Sequence, residues 1–137
     1  PGGVIRVADS EVVTQSNSPS LTRLQEMAVC AFFRAGHLFT QESTGLIAHL
    51  ESLFAHYGIQ QIEAKAYELK FQGRTAEGQA YCEDMWRIYQ AIIPFLKKWG
   101  CYPQDYDAIY QQARAEMQRP DFHVTWNFLM VWGRKPG

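Results

Sequence analysis

Apolar residues alternate strictly along the last segment, FHVTWNFLMVWGRKP. Phe122, Val124, Trp126, Phe128, Met130 and Trp132 fall on one face, and Leu129 and Val131 fill the other. That period of two predicts a strand over 122–133, apolar on both sides as in a central strand. A second alternation spans 59–71: Ile62, Ala64 and Ala66, then Tyr67, Leu69 and Phe71. Its parity switches between Ala66 and Tyr67, so either a β-bulge sits there or the strand passes from one packing layer to another. The run Val4-Ile5-Arg6-Val7-Ala8, rich in β-branched residues, predicts a short buried strand after a Pro-Gly-Gly turn.

Between these runs the period is helical. Leu24, Ala28, Ala31, Phe32 and Ala35 predict a helix over 21–38, with Ser20 as its N-cap after a polar loop at 14–20. Leu46, Leu50, Leu53, Phe54 and Tyr57 predict a second over 42–57, stopped by Gly58. A third covers 76–99, where Pro94 should kink or split it and Gly100 end it; a fourth covers 103–119. The order is β-α-α-β-α-α-β. Only three strands are predicted, and the most apolar of them is the last, which needs a neighbour on each side.

Composition narrows the classes. With 137 residues, 47% hydrophobic and 20% charged, the chain has the size and make-up of one globular domain. No apolar run approaches the roughly 18 residues of a membrane-spanning helix, so no membrane partner is expected. Net charge is −1, and Lys97-Lys98 and Arg134-Lys135 are the only adjacent basic pairs, which argues against a nucleic-acid partner. Cys30, Cys82 and Cys101 are odd in number and widely spaced, unlike a disulfide framework or a zinc motif. They read as reduced thiols of a cytoplasmic protein.

Three segments carry a resemblance. PGGVIRVADSE resembles the Pro-Gly-Gly turn and fifth strand of class I S-adenosylmethionine-dependent methyltransferases. LIAHLESLFAHYGIQQIEAKAYEL resembles the helix, glycine turn and sixth strand that follow, and WNFLMVWGRKP resembles the C-terminal seventh strand. The resemblance implies an α/β fold: a partial Rossmann-like methyltransferase sheet of strands five, seven and six, taken from the family order 3-2-1-4-5-7-6. Residues 1–137 would be the C-terminal part of such a domain, with a preceding portion joined through the opening turn. Insertions at 10–41 and 72–121 would emerge on the carboxyl rim and build a helical cap of about four helices over a substrate pocket.

The family holds its cofactor with a glycine-rich loop after strand one and an acidic residue ending strand two. Neither is present; Gly2-Gly3 precedes a strand instead of following one. S-adenosylmethionine is therefore expected as the cofactor of the parent enzyme, and not to bind this chain alone. The resemblance implies a small-molecule methyl acceptor under the cap.

Candidate substrate contacts are Asp9 and Glu11, Phe33, His37, Trp86 and Tyr89. A carboxylate just past strand five would take a proton from, or position, a hydroxyl or amine; the alternative is a solvated strand exit or an N-cap-like interaction. His37 would act as a base or interact with the dipole at its helix C-terminus. The cap aromatics line a pocket or pack the cap onto the sheet. His49 and His56, seven apart on one helix, are too far apart to share a metal and are expected to face solvent; His123 is packed or exposed. No residue is identified as catalytic, and no metal site is expected. A different class remains open: a non-catalytic interaction module that forms homo-oligomers through the open edge of its first strand.

Overall fold

The computed structural model describes residues 2–41 and 45–137. Four strands form an open antiparallel sheet: β1 (Val4–Ser10), β2 (Gln15–Ser16), β3 (Gln60–Gln72) and β4 (His123–Arg134). Among the described residues five α-helices accompany them: α1 (Pro19–Arg34), α2 (Leu50–His56), α3 (Ala76–Ala91), α4 (Ile93–Lys98) and α5 (Tyr106–Met117). The fold is mixed α and β. The last strand is the central one: β4 pairs antiparallel with β1 on one side and with β3 on the other. β1 and β3 therefore run the same way, and their ends share a rim with the start of β4.

β2, within the segment read as a loop, pairs with β4 through Gln15↔Thr125 and Ser16↔Val124. It continues the edge that β1 leaves at Ser10↔Phe128, so residues 11–14 are an excursion from one interrupted edge strand.

The parity switch in β3 is a change of layer. Pairing runs without a break from Glu63↔Trp132 to Gln72↔His123, and the irregularity lies earlier, between Gln60 and Glu63, where Gln61 has φ of 50°. There is no bulge between Ala66 and Tyr67. Ala64 and Ala66 share a face with Leu129 and Val131; Tyr67, Leu69 and Phe71 share the opposite face with Phe128, Trp126 and Val124. Gly133 makes the early irregularity possible, since a Cβ there would lie 2.4 Å from Ile59 Cγ2 and 3.0 Å from the Gln60 carbonyl oxygen.

One face is covered by α2, whose Leu50 and Phe54 pack with Val131, Val7, Ile62 and Leu129. The other carries Phe128, Met130 and Trp132, all half-buried, and among the described residues no helix lies over its middle. β1 is not buried, against the expectation from its apolar run: Val4, on the open face, is 59% exposed, and Ile5, opposite Gly133 on the other face, is 42% exposed. The main core instead joins α1, α3, α4 and α5 to the rim end of the sheet, through Leu21, Leu24, Leu96, Tyr106, Met117, Phe122 and Val124.

Helix boundaries follow local chemistry. Ser18, not Ser20, caps α1: its Oγ accepts from the Leu21 N–H at 3.1 Å and Pro19 opens the helix. Gly36 at φ 80° ends α1 early, with Gly36 N–H donating to Phe33 O and His37 N–H to Phe32 O. Gly58 and Gly100 end α2 and α4 the same way, as expected. The second helix is shorter than its periodicity, a 3-10 turn at Leu46–His49 followed by α2; its expected start at Glu42 lies outside the described residues. The third divides at Ile92, with Pro94 in the first turn of α4.

The cysteines correct the reduced-thiol reading. Cys30 of α1 and Cys101, just after α4, form a disulfide with Cα atoms 6.1 Å apart. Packing of α1 against α4 and α5 brings together residues 71 apart in sequence, which spacing could not reveal. Cys82 is free and buried, and burial raises its thiol to about 11. Among the described residues no helix is long and apolar enough to cross a membrane.

Candidate functional site at the carboxyl end of β1

Residues 11–14 leave the sheet between β1 and β2, and three contacts to β4 fix the excursion. The Glu11 N–H donates to Asn127 O at 2.9 Å, and Trp126 Nε1 donates to Glu11 O at 3.0 Å. Asn127 Nδ2 donates to Glu11 Oε2 at 2.9 Å. Glu11 is thus held at both backbone and side chain, beside the rim. Asp9 is exposed, and its Oδ1 accepts from the Ser10 N–H at 2.8 Å.

The glycine turn after α1 brings His37 to the same place. Its ring packs between Phe32 of α1 and Phe95 of α4, with centroids 6.3 and 6.5 Å away. A cavity of about 340 Å³ opens where these segments meet, lined by Asp9, Glu11, Phe32, His37, Leu46 and Trp126 among others. Two carboxylates and an imidazole, drawn from positions up to 28 apart, therefore border one concavity at the carboxyl end of β1. His37 lies beyond the C-cap of α1, three residues past its last turn, and is not a helix-terminal residue.

The other candidates do not join them. Phe33 faces a larger cavity, about 520 Å³, with Thr14, Gln25, Val29 and Arg34. Trp86 borders a third, about 280 Å³, with Cys82 and Met117, and the Arg114 guanidinium lies 4.8 Å over its ring. Tyr89 is core: it is 7% exposed, its carbonyl accepts from the Tyr106 hydroxyl, and burial raises its phenol. Tyr81, Tyr106 and Tyr110 are also buried, so most cap aromatics pack the helices onto the sheet. Tyr81 stacks on Phe71 at 4.9 Å, and burial pushes its phenol up to about 12 despite a 3.1 Å bond with Thr14 Oγ1.

The remaining histidines stand apart. His49 is not solvent-facing: it is half-buried, its ring 4.2 Å from that of Phe39 and its Nε2 enclosed. His56 is exposed against Tyr57, and His123 is exposed beside the Asp121 carbonyl.

Sequence reasoning missed Asn127 and Trp126 as partners of Glu11. Both sit in a strand whose alternation signals packing alone, and nothing local links them to a loop more than a hundred residues earlier. Compared with protein-family models and with curated proteins, the chain gives no match.

Proposed function

We propose that this chain is the C-terminal, substrate-capping part of an S-adenosylmethionine-dependent methyltransferase that acts on a small-molecule acceptor. The observation that carries the reading is the meeting of Asp9, Glu11 and His37 around one cavity on the rim where β1 and β3 end. Open α/β sheets bind their ligands on that rim. The β1-β4-β3 arrangement, with an antiparallel last strand in the middle, supports it as the five-seven-six portion of the family sheet.

The acceptor would lie in the cavity with its hydroxyl or amine toward Glu11. Bound S-adenosylmethionine would supply the methyl group, and the Glu11 carboxylate would take up the proton of the acceptor hydroxyl or amine. Asn127 holds Glu11 in place, and alignment of donor and acceptor supplies much of the rate. The cofactor itself would be held by a glycine-rich loop outside this sequence.

The open face agrees with a larger parent. The chain exposes 8462 Å², whereas a compact protein of this mass exposes about 7,300 Å². The excess exceeds the roughly 800 Å² that one partner contributes to a standard interface. Coding sequence upstream of Pro1 should specify a strand followed by a glycine-rich loop. The extended polypeptide should then transfer labelled methyl groups to small amines or alcohols. Replacing Glu11 by Gln should lower kcat at least tenfold. An upstream sequence without that loop, or full activity in the Glu11→Gln variant, would overturn the reading.

A second reading is a non-catalytic module that self-associates. It is favoured by β1, which among the described residues pairs with β4 along one edge only. Light scattering with and without the upstream polypeptide separates the two: a module of this kind stays a dimer or larger, whereas a methyltransferase portion stops self-associating once the preceding half covers the open face.

A further inference from the structure

We infer that the Cys30–Cys101 disulfide is a latch opened by small-molecule thiols at Cys30, and that its state sets the wall of the cavity that contains His37. The two sulfurs differ in access. Cys30 is half-buried and borders both the cavity of about 520 Å³ and a neighbouring one of about 410 Å³. Cys101 is 8% exposed and borders only the second. A nucleophile therefore reaches the bond from the Cys30 side. Arg34 and Glu26 line the larger cavity with one charge of each sign, which suits a zwitterionic peptide thiol.

The exchange balances. A thiolate attacks Cys30 Sγ, the bond to Cys101 breaks, and Cys101 leaves and takes up the proton the attacking thiol gave up. Cys30 then carries the mixed disulfide. A second thiolate attacks the adduct sulfur, releases the oxidised thiol dimer and returns Cys30 as a free thiol, so two thiols are oxidised as one disulfide is reduced. The reduced state has its own partner, because the Trp99 carbonyl oxygen lies 3.6 Å from Cys101 Sγ.

The consequence reaches the candidate site through α1. Cys30 lies one turn before the end of that helix. The following residues include Phe32, which packs against Phe95 of α4 at 5.3 Å, and His37, which rests on both rings. The bond and the Arg34 contacts to Trp99 O and Gly100 O, at 2.8 and 3.1 Å, tie this end of α1 to the end of α4. Opening the bond leaves, among the described residues, the Arg34 contacts to hold the two ends together. The inference adds a control to the site of the proposed function, but its test uses no methyl transfer and so stands or falls separately.

The oxidised chain is titrated with reduced and oxidised glutathione, quenched with acid and analysed by intact and peptide mass. A mixed disulfide at Cys30 is expected, then two free thiols, with buried Cys82 unmodified throughout. The Cys101→Ser variant should trap the adduct at Cys30, and the Cys30→Ser variant should resist modification at Cys101. The His37 Cε1–H resonance should shift between oxidised and reduced wild type, with the melting temperature lower in the reduced form. The wild-type measurements hold if a variant fails to fold. Absence of the disulfide in air-oxidised protein, an adduct at Cys101 instead of Cys30, or a His37 resonance indifferent to reduction sinks the inference.

Discussion

Glu116 is the most constrained acidic side chain among the described residues. It is 8% exposed on α5, yet it stays ionised. Burial raises its affinity for a proton, but Ser18 Oγ, Ser20 N–H, Ser20 Oγ and Gln112 Nε2 all donate to its carboxylate. The donors win, and its value falls from 4.5 to about 2. Because the folded value lies below the unfolded one, Glu116 stabilises the fold above about pH 5 and loses that contribution as pH falls toward 2. Replacing it by Gln should cost on the order of 1–3 kcal/mol at pH 7 in urea unfolding, and the gap from wild type should narrow by pH 3.

Glycines make a second claim at this scale. A Cβ on Gly78 would sit 1.8 Å from the Gln72 carbonyl oxygen, where the first turn of α3 presses on the end of β3. Gly78→Ala should destabilise by about 2–4 kcal/mol, measured by thermal or denaturant unfolding. Gly3→Ala, with open space around it, should be close to neutral and serves as the control.

At the scale of elements, local chemistry was readable where one residue decides. Gly58 and Gly100 end their helices through positive φ, and Pro94 divides the third helix because it cannot donate to the preceding turn. Where two segments decide, the sequence was mute. The register of β3 against β4 sends Ala66 and Tyr67 to opposite faces, and either outcome of the parity switch fitted the same residues. Ser20 looked like a cap but turns to Glu116, a partner 96 residues away. The disulfide belongs here too. It closes a long loop, so in the chain-entropy account it contributes up to about 4 kcal/mol. Reduction should lower the melting temperature by about 10 °C in calorimetry.

For the whole molecule, the open sheet face is the dominant feature. Val4, Leu69, Tyr67, Phe128, Met130 and Trp132 share it, and the outer edge of β1 borders it. Such a surface favours association. Leu69→Lys combined with Val4→Lys should shift light scattering toward monomer while leaving the far-ultraviolet dichroism unchanged. Aggregation that persists in the double variant would place the sticky surface elsewhere. On the methyltransferase reading, calorimetric titration of this chain with S-adenosylmethionine should give no heat of binding, because residues 1–137 contain no glycine-rich loop between a strand and a helix.

By itself the sequence determined the central place of the last strand and the kinds and order of the elements apart from β2, read as loop, since side-chain period and punctuation by Gly and Pro act over a few residues. Only the tertiary structure decided which faces are covered, which cysteines meet, and that Asp9, Glu11 and His37 border one cavity while Phe33, Trp86 and Tyr89 do not. Those outcomes depend on packing between segments far apart along the chain, and alternation along a single segment carries no record of its partner.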